Sequence, residues 1–346
     1  MNIIKTLKNE KNTSKYSIQL FAEPVLNTSG DSALSPGMKT FYDTALLQNA
    51  QGNTYFAQFG KNQPLPKHKG KKVEWRKWNE FKVSTIPLQE GITPTGDKLG
   101  QTSIEAEIHQ YGRYSYVTDV LNLTHLDNVI AGATDLFGEL ASETLDIVTR
   151  NAIMTEAVKN VLFPRKSDGT VVSTRASLDK TCELTPKVIN KAATVLKKNK
   201  APKIDGSYIG IIHPAVAFDL RESKGWKEAH EYSATKEIFN GEIGELHGVR
   251  FVESGNAKVY TDNCPAGYSV YSTLIFGKDA WGVVKPDGAG LEMIVNQVGT
   301  GGASDPLKQR GSVGFKFSTA SAVLYPTRLI SVETVSAEFG NDDAAN

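Results

Sequence analysis

The chain has almost no cysteine. Its 346 residues include two, Cys182 and Cys264, which form no C-x-x-C and have no histidine at ligand spacing. Neither a disulfide framework nor a clustered thiolate metal site is written into it, and the pair reads as idle thiols. Net charge is also missing: 39 basic residues meet 38 acidic ones, leaving +1. No global field therefore draws the chain onto nucleic acid or an anionic membrane. No apolar run approaches the roughly 20 residues of a membrane-spanning helix, and none resembles a secretory core.

Catalytic patterns are absent too. His68, His109, His125, His213, His230 and His247 make neither H-E-x-x-H nor H-x-x-x-H, and no serine sits in G-x-S-x-G. His213, followed by Pro214, is expected to cap a helix. No catalytic residue, cofactor-binding residue or metal ligand is assigned. A hydrolase whose Ser-His-Asp set assembles only in space is kept as a rival reading.

The glycines of "FNGEIGELHGVRFVES" (239–254) raise the question of a phosphate loop. Such a loop follows a strand, opens a helix and carries Lys with a hydroxyl residue. Here the glycines precede the apolar run, and Glu242 and Glu245 between them would repel phosphate. The stretch reads as a turn that delivers a strand, using glycine's tolerance of positive φ.

What remains is an ordinary globular composition, 40% apolar and 22% charged, in a chain long enough for about two domains. Residues 1–40 are polar and read as an extended arm, holding the apolar island "YSIQLFA" and followed by the amphipathic "GMKTFYDTALLQNA". Two alternating runs, around Val73–Trp78 and "TSIEAEIHQYGRYSYV", flank a connection rich in Pro, Gly and Thr, as in a two-stranded arm. A lone hairpin is marginal in water and wants another surface.

A seven-residue apolar recurrence predicts a helix from about Asp127 to Val161, entered by Thr124 and Asp127. A mixed α/β pattern follows. "TPKVINKAATVLKKNK", "HPAVAFDLRES" and "EYSATKEIFNG" read as helices, and "SYIGII", "GVRFVES" and "YSVYSTLIFG" as strands. "LEMIVNQVG", "RGSVGFKFSTASAVL" and "TRLISVETVS" close the chain as strands. The acidic end "EFGNDDAAN" is expected to be loose.

Charge is uneven locally. Residues 61–82 and 187–203 each sum to +6. Such runs are usually solvated faces, and they also suit docking between copies or against a polyanion. Trp75 and Trp78, interleaved with Lys and Arg, are able to stack on bases. A hairpin with aromatic anchors toward another subunit is the preferred reading over an exposed nucleic-acid-binding module.

Several strings, in this order, carry a resemblance: "LSPGMKTFYDTALLQNA", "FAQFGKNQPLPKHKGKKVEWRKW", "PLQEGITPTGDKL", "QYGRYSYVTDVLNLT", "FNGEIGELHGVRFVES", "YSTLIFG" and "GTGGASDPLKQRGSVGFK". From about residue 34 to 335 the chain resembles major capsid proteins of tailed double-stranded-DNA bacteriophages with the Hong Kong 97-type fold. The resemblance implies an α+β chain in five parts. These are an N-terminal arm (1–59), an extended β-hairpin loop (60–118), and a peripheral domain with a spine helix (119–183). A mixed α/β axial domain (184–290) follows, then return strands and tail (291–346).

By the same resemblance the chain is a structural subunit and not an enzyme. It forms hexamers and pentamers of an icosahedral head around double-stranded DNA, meets the DNA nonspecifically, and uses no cofactor. Scaffolding protein, portal and a maturation protease are implied partners, no membrane is, and the virion, assembled in host cytoplasm, is the implied location. The extended loop would lie over a neighbouring subunit, with Lys69, Lys71, Lys72, Trp75 and Trp78 as intersubunit contacts. A same-fold nanocompartment shell is the alternative. "YSIQLFAE" resembles the L-x-L-Q-[LF]-F-A leader of capsid proteins from phages of low-GC Gram-positive hosts, with Tyr16 and Ile18 replacing leucines. It implies cleavage between Phe21 and Ala22 and loss of the leader 1–21.

Overall fold

The computed structural model describes residues 54–66, 70–81, 83–85, 87, 90–91, 93, 96–125, 129–231, 242–287, 290–301, 305–340 and 343–346. The leader site at Phe21 and Ala22, Lys69, Asp127 and the expected helix at 232–240 lie outside the described residues.

The first layer is a sheet built on one long strand. β13 (Arg310–Val323) lies between β12 (Glu292–Asn296) and β4 (His109–Thr118) along its first part. Its last residues pair with β11 (Trp281–Pro286), which pairs in parallel with β1 (Lys61–Leu65). Helix α3 (Val129–Ala157) lies on this sheet. Its 29 residues span about 43 Å at the usual helical rise. Gly132 and Gly138 lie within its bounds, so neither ends it.

Ile130, Ala133, Phe137 and Ala141 of α3 repeat at helical spacing and pack on Met293, Val313, Phe315 and Phe317. Phe137 meets Phe315 with ring centres 6.0 Å apart. Each large apolar side chain buried this way contributes about 1.5–3 kcal/mol. The expected helix entry is different in the structure. Thr124 ends a separate short helix, α2 (Asp119–Thr124), whose N-cap Thr118 accepts from Leu121 N–H at 3.3 Å.

The second sheet runs, in order, β5 (Val161–Leu162), β14 (Leu329–Val335), β10 (Val270–Phe276), β6 (Tyr208–Ile212), β8 (Val249–Glu253) and β7 (Glu242–Leu246), with β9 (Val259–Tyr260) added on β10. Its centre is β6 (Tyr208–Ile212), buried throughout as expected of a strand covered on both faces. Tyr208 and Ile212 face the cluster holding α4 (Pro186–Lys198) and α5 (Pro214–Glu222). Ile209 and Ile211 face the other way, toward Ile153, Met154 and Ala157 at the end of α3. That alternation ties the helix of the first layer to the core of the second.

The glycine-rich stretch is a hairpin. β7 (Glu242–Leu246) and β8 (Val249–Glu253) are joined by His247 and Gly248, both at positive φ. A two-residue turn with that geometry matches the twist of the strands it joins. β8 goes on to pair with β6 in parallel.

The closing segment divides between the layers. β12 and β13 belong to the first sheet, whereas β14 (Leu329–Val335) enters the second between β10 (Val270–Phe276) and β5 (Val161–Leu162). The acidic end is not loose where it is described. Asp343 accepts from Tyr271 O–H at 2.7 Å, and its backbone carbonyl accepts from Ser269 at 2.9 Å. A carboxylate with a buried phenol partner is held, so the composition of the tail misleads.

Candidate assembly surfaces

After β1 the chain forms a hairpin, β2 (Lys72–Trp78) with β3 (Gln101–Glu107). One face is apolar and the other charged, as the period-2 pattern requires. Val73, Trp75 and Ala106 are buried, packing with Ile104 on Val284 and Ala320 of the first sheet and on Leu324 just after β13. The hairpin therefore already has a surface to lie on, within its own chain.

The second alternating run is not one strand. It changes partners at Ile108: β3 pairs with β2, and β4 pairs with β13 for ten residues. The arm is thus welded to the first sheet along half its length.

The proposed contact residues separate. Trp75 is buried in its own subunit, whereas Trp78, at the end of the same strand, is 63% exposed. Lys71 and Lys72 are exposed but not free. Lys71 meets Glu107 at 2.6 Å and Lys72 meets Glu105 at 3.2 Å. Glu74 lies directly opposite Glu105, and Arg76 sits 3.1 Å from Glu74. The guanidinium of Arg76 draws the Glu74 carboxyl below its usual range, and Lys71 does the same to Glu107. Two of the six net positive charges of residues 61–82 are offset by Glu105 and Glu107, about thirty positions later. A window along the sequence misses them because only strand pairing brings them near.

The arm enters the body at a buried carboxylate. Asp146 of α3 accepts from Phe56 N–H at 2.7 Å, in the short helix α1 (Tyr55–Gln58), and from the Asn256 amide at 3.3 Å. Arg150, one turn along, donates to the Asn256 carbonyl at 2.7 Å. The Phe56 carbonyl accepts from the Trp281 indole at 3.1 Å. Burial pushes the Asp146 carboxyl up to about 6, despite the hydrogen bonds it accepts. This junction joins arm, helix and both sheets, and the alternation and spacing rules gave no signal for it.

His213 caps α5, its Nδ1 accepting from Ala215 N–H at 3.3 Å, and burial depresses its pKa. An open cleft of about 380 Å³ is lined by Tyr55, Glu139, Glu143, Glu253, Ser254, Gly255 and Asn256. Among the described residues no group of three or more His, Cys, Asp or Glu is placed to hold a metal ion. No helix of the described residues is long and apolar enough to cross a membrane.

Sequence reasoning also passed over an exposed apolar group at the far end of β4. None of the residues of α2 is buried, and Val120, Leu121 and Leu123 stand in solvent. Asp119 N–H donates to the Gln309 carbonyl at 3.0 Å, and Leu307, two residues before Gln309, is exposed as well. The available signal was three apolar residues within six, Asp119–Thr124.

A long helix on a sheet of long strands, a second sheet with helices, and a hairpin standing on the first layer make up an α+β phage-capsid fold of the Hong Kong 97 type. The structure is similar to the capsid of Ralstonia phage GP4, with a TM-score of 0.62 at 14% identity over 82% of this chain and 91% of that chain. It is similar to the capsid of the cyanophage P-SCSP1u at 0.59 and 16%, over 81% and 87%. The capsid of cyanophage Pam1 gives 0.58 and 12%, over 78% and 86%. No protein-family model and no curated protein matches the chain.

Proposed function

We propose that the chain is the major capsid protein of a tailed bacteriophage, assembling into hexamers and pentamers of an icosahedral head around double-stranded DNA. The observation that carries this reading is the chain-wide likeness of fold to phage capsids, spanning about four fifths of this chain. Its role is structural, and its location is the virion. Scaffolding protein, portal and a protease that cuts between Phe21 and Ala22 are its proposed partners, with assembly in the host cytoplasm. The five-part division at 59, 118, 183 and 290 belongs to the same proposal.

Contact with DNA is nonspecific in this reading. Lys187, Lys191, Lys197 and Lys198 are exposed on α4 while its apolar face is buried. Such lysines bind phosphate by releasing counterions, so any affinity falls steeply with salt.

Purified protein examined by negative-stain microscopy and sedimentation tests the proposal. Shells or ringed capsomers are expected. A folded protein that stays monomeric over a wide concentration range, with and without co-expressed scaffold, overturns it.

A further inference from the structure

The chain after β14 lies on the second layer as a strap with two fastenings. A segment beyond the last strand is usually loose unless something ties it down. Ser336 begins a tight turn, its carbonyl accepting from Gly340 N–H and its hydroxyl oxygen from Phe339 N–H, each at 3.3 Å. The Gly340 carbonyl accepts from Ser269 N–H at 2.9 Å. The Phe339 ring stands edge-on to Phe218 of α5, with centres 5.7 Å apart. The second fastening is at Asp343, held by Tyr271 and Ser269, and at Asn346. The Asn346 side chain donates to the Ala257 carbonyl at 3.0 Å and accepts from Val259 N–H at 2.9 Å.

The first fastening is built around carboxylates that have no cation. Asp219 of α5 is 8% exposed and accepts from the Ser336 hydroxyl and Ala337 N–H, yet its Oδ2 is buried with no hydrogen-bond partner. Glu338 acts on it from the turn, and Glu183 is coupled to both from the segment before α4. Burial, Asp219 and Glu338 push the Glu183 carboxyl up. Burial and Glu338 push Asp219 up, against the two hydrogen bonds it accepts. Arg221 is taken by Glu253 at 3.0 Å, and Lys227 by Glu222 at 2.6 Å. Lys180 and Lys187, nearest to Glu183 in sequence among the basic residues, make no ion pair with it. Like charges held this way cannot all ionise without cost. At the second fastening His213 lies 3.9 Å from Asp343, its pKa depressed by burial.

We propose that the turn is a proton-operated clasp, closed on α5 when Asp219 carries a proton and loosened when Asp219, Glu183 and Glu338 are all charged. The proton removes one of three like charges, and with it the cost of holding an ionised oxygen away from water. A carboxyl raised in the folded chain contributes stability that is complete below its unfolded value, about pH 4. That contribution fades as pH rises through the raised value. Opening takes Phe339 off Phe218, which is already 45% exposed. It bares aromatic surface of the kind that marks a contact with another molecule. The clasp belongs to the folded subunit and does not rest on the capsid reading.

Hydrogen exchange of the full chain, read by mass spectrometry and corrected for the intrinsic rate at each pH, tests the clasp. Peptides covering 336–340 are compared with β14, whose amides report the layer beneath. From about pH 5 to about pH 8, protection of the turn relative to β14 is expected to fall about fivefold. Asp219→Asn keeps an acceptor for Ser336 and Ala337 and removes the charge, so its ratio should hold within about twofold. A parent ratio that does not change overturns the proposal. So does a fall that survives Asp219→Asn, which would place the switch on another group such as His213.

A second variant guards against a chain that fails to fold when residue 219 is changed. Glu338→Gln lies at an exposed position and removes one of the three charges. It should reduce the parent's fall by about half. The parent's full fall in Glu338→Gln overturns the proposal.

Discussion

The indole of Trp75 fills the space that a side chain would need at Gly282. A Cβ built on that glycine would meet Trp75 Cζ2 at 2.8 Å, so strand β11 is bare where the hairpin crosses it. The two tryptophans of the hairpin are thus assigned opposite duties. Trp75→Ala should cost the folded subunit about 3 kcal/mol, in the range for large buried aromatics. Gly282→Val should loosen the same contact from the other side. Trp78→Ala should change stability by less than about 0.5 kcal/mol and instead lower the yield of particles. Chemical denaturation and sedimentation, run in parallel, separate the two effects. Equal destabilisation by both alanines would refute the division.

Asp146 makes the body of the subunit sensitive to pH. Its carboxyl is raised to about 6 in the folded chain, against an ordinary value of 3.8, chiefly by burial. A carboxyl with a raised native pKa favours folding most when both states are protonated. That contribution is complete below about pH 4 and is lost as pH rises through about 6. Ionisation then costs the native state roughly 2–3 kcal/mol, at 1.4 kcal/mol per tenfold change in proton affinity. Asp146→Asn keeps an acceptor for Phe56 N–H and removes the titration. The difference in unfolding free energy between pH 4 and pH 6 should shrink by about that amount in the variant. An unchanged difference would show that another group sets the profile.

Much of this fold was legible along the sequence, for reasons that particular segments make plain. Tyr208–Ile212 reads as a covered strand because five apolar or small residues in a row have no solvent side. Pro186–Lys198 reads as a helix because Thr185, Pro186 and the apolar spacing agree. The alternation from Gln101 to Thr118 was legible as extended chain but not as two strands. Period 2 sets which side chains share a face, and it is silent on which neighbour supplies the hydrogen bonds. β11 escaped notice because "WGVVKP" is short and mixes Gly and Pro with its apolar residues, yet Trp281 and Val283 are buried. The assembly surfaces were partly legible. Trp78 stood out, whereas the exposed apolar side chains of α2 were not singled out along the sequence.

A buried ion pair gives the third prediction. Arg175 donates to both oxygens of Glu333 at 2.8 and 2.6 Å and stacks 3.6 Å from the Tyr260 ring centre. Glu333 is 1% exposed in the middle of β14. Removing one partner strands the other charge away from water, which typically costs 3–5 kcal/mol. Arg175→Leu should therefore destabilise the subunit by about 3 kcal/mol. Adding Glu333→Gln should recover a large part of that loss, because the orphaned charge is gone. Urea unfolding of the two variants measures it. A double variant as unstable as the single one would place the cost in lost packing on Tyr260.

The charges of the hairpin can be tested by exchange. Lys71 and Lys72 face Glu107 and Glu105, and the two acidic residues at 74 and 105 share one cross-strand position. Reversing only the lysines, with Lys71→Glu and Lys72→Glu, leaves a row of carboxylates on one face of a two-stranded ribbon. Like charges opposite each other destabilise such pairs. Particle yield should fall, and added salt should restore part of it, because exposed charges are screened within about 8–10 Å at physiological ionic strength. The exchange is completed by Glu105→Lys and Glu107→Lys in the same chain. If the lysines act within their own hairpin, this four-site variant regains the parent's yield and its weak dependence on salt. If they dock instead on an acidic neighbour, the exchange leaves that neighbour facing carboxylates and the yield stays low. The geometry of the pairs favours recovery, and light scattering across 50–500 mM salt, a span of roughly threefold in screening length, reads the outcome.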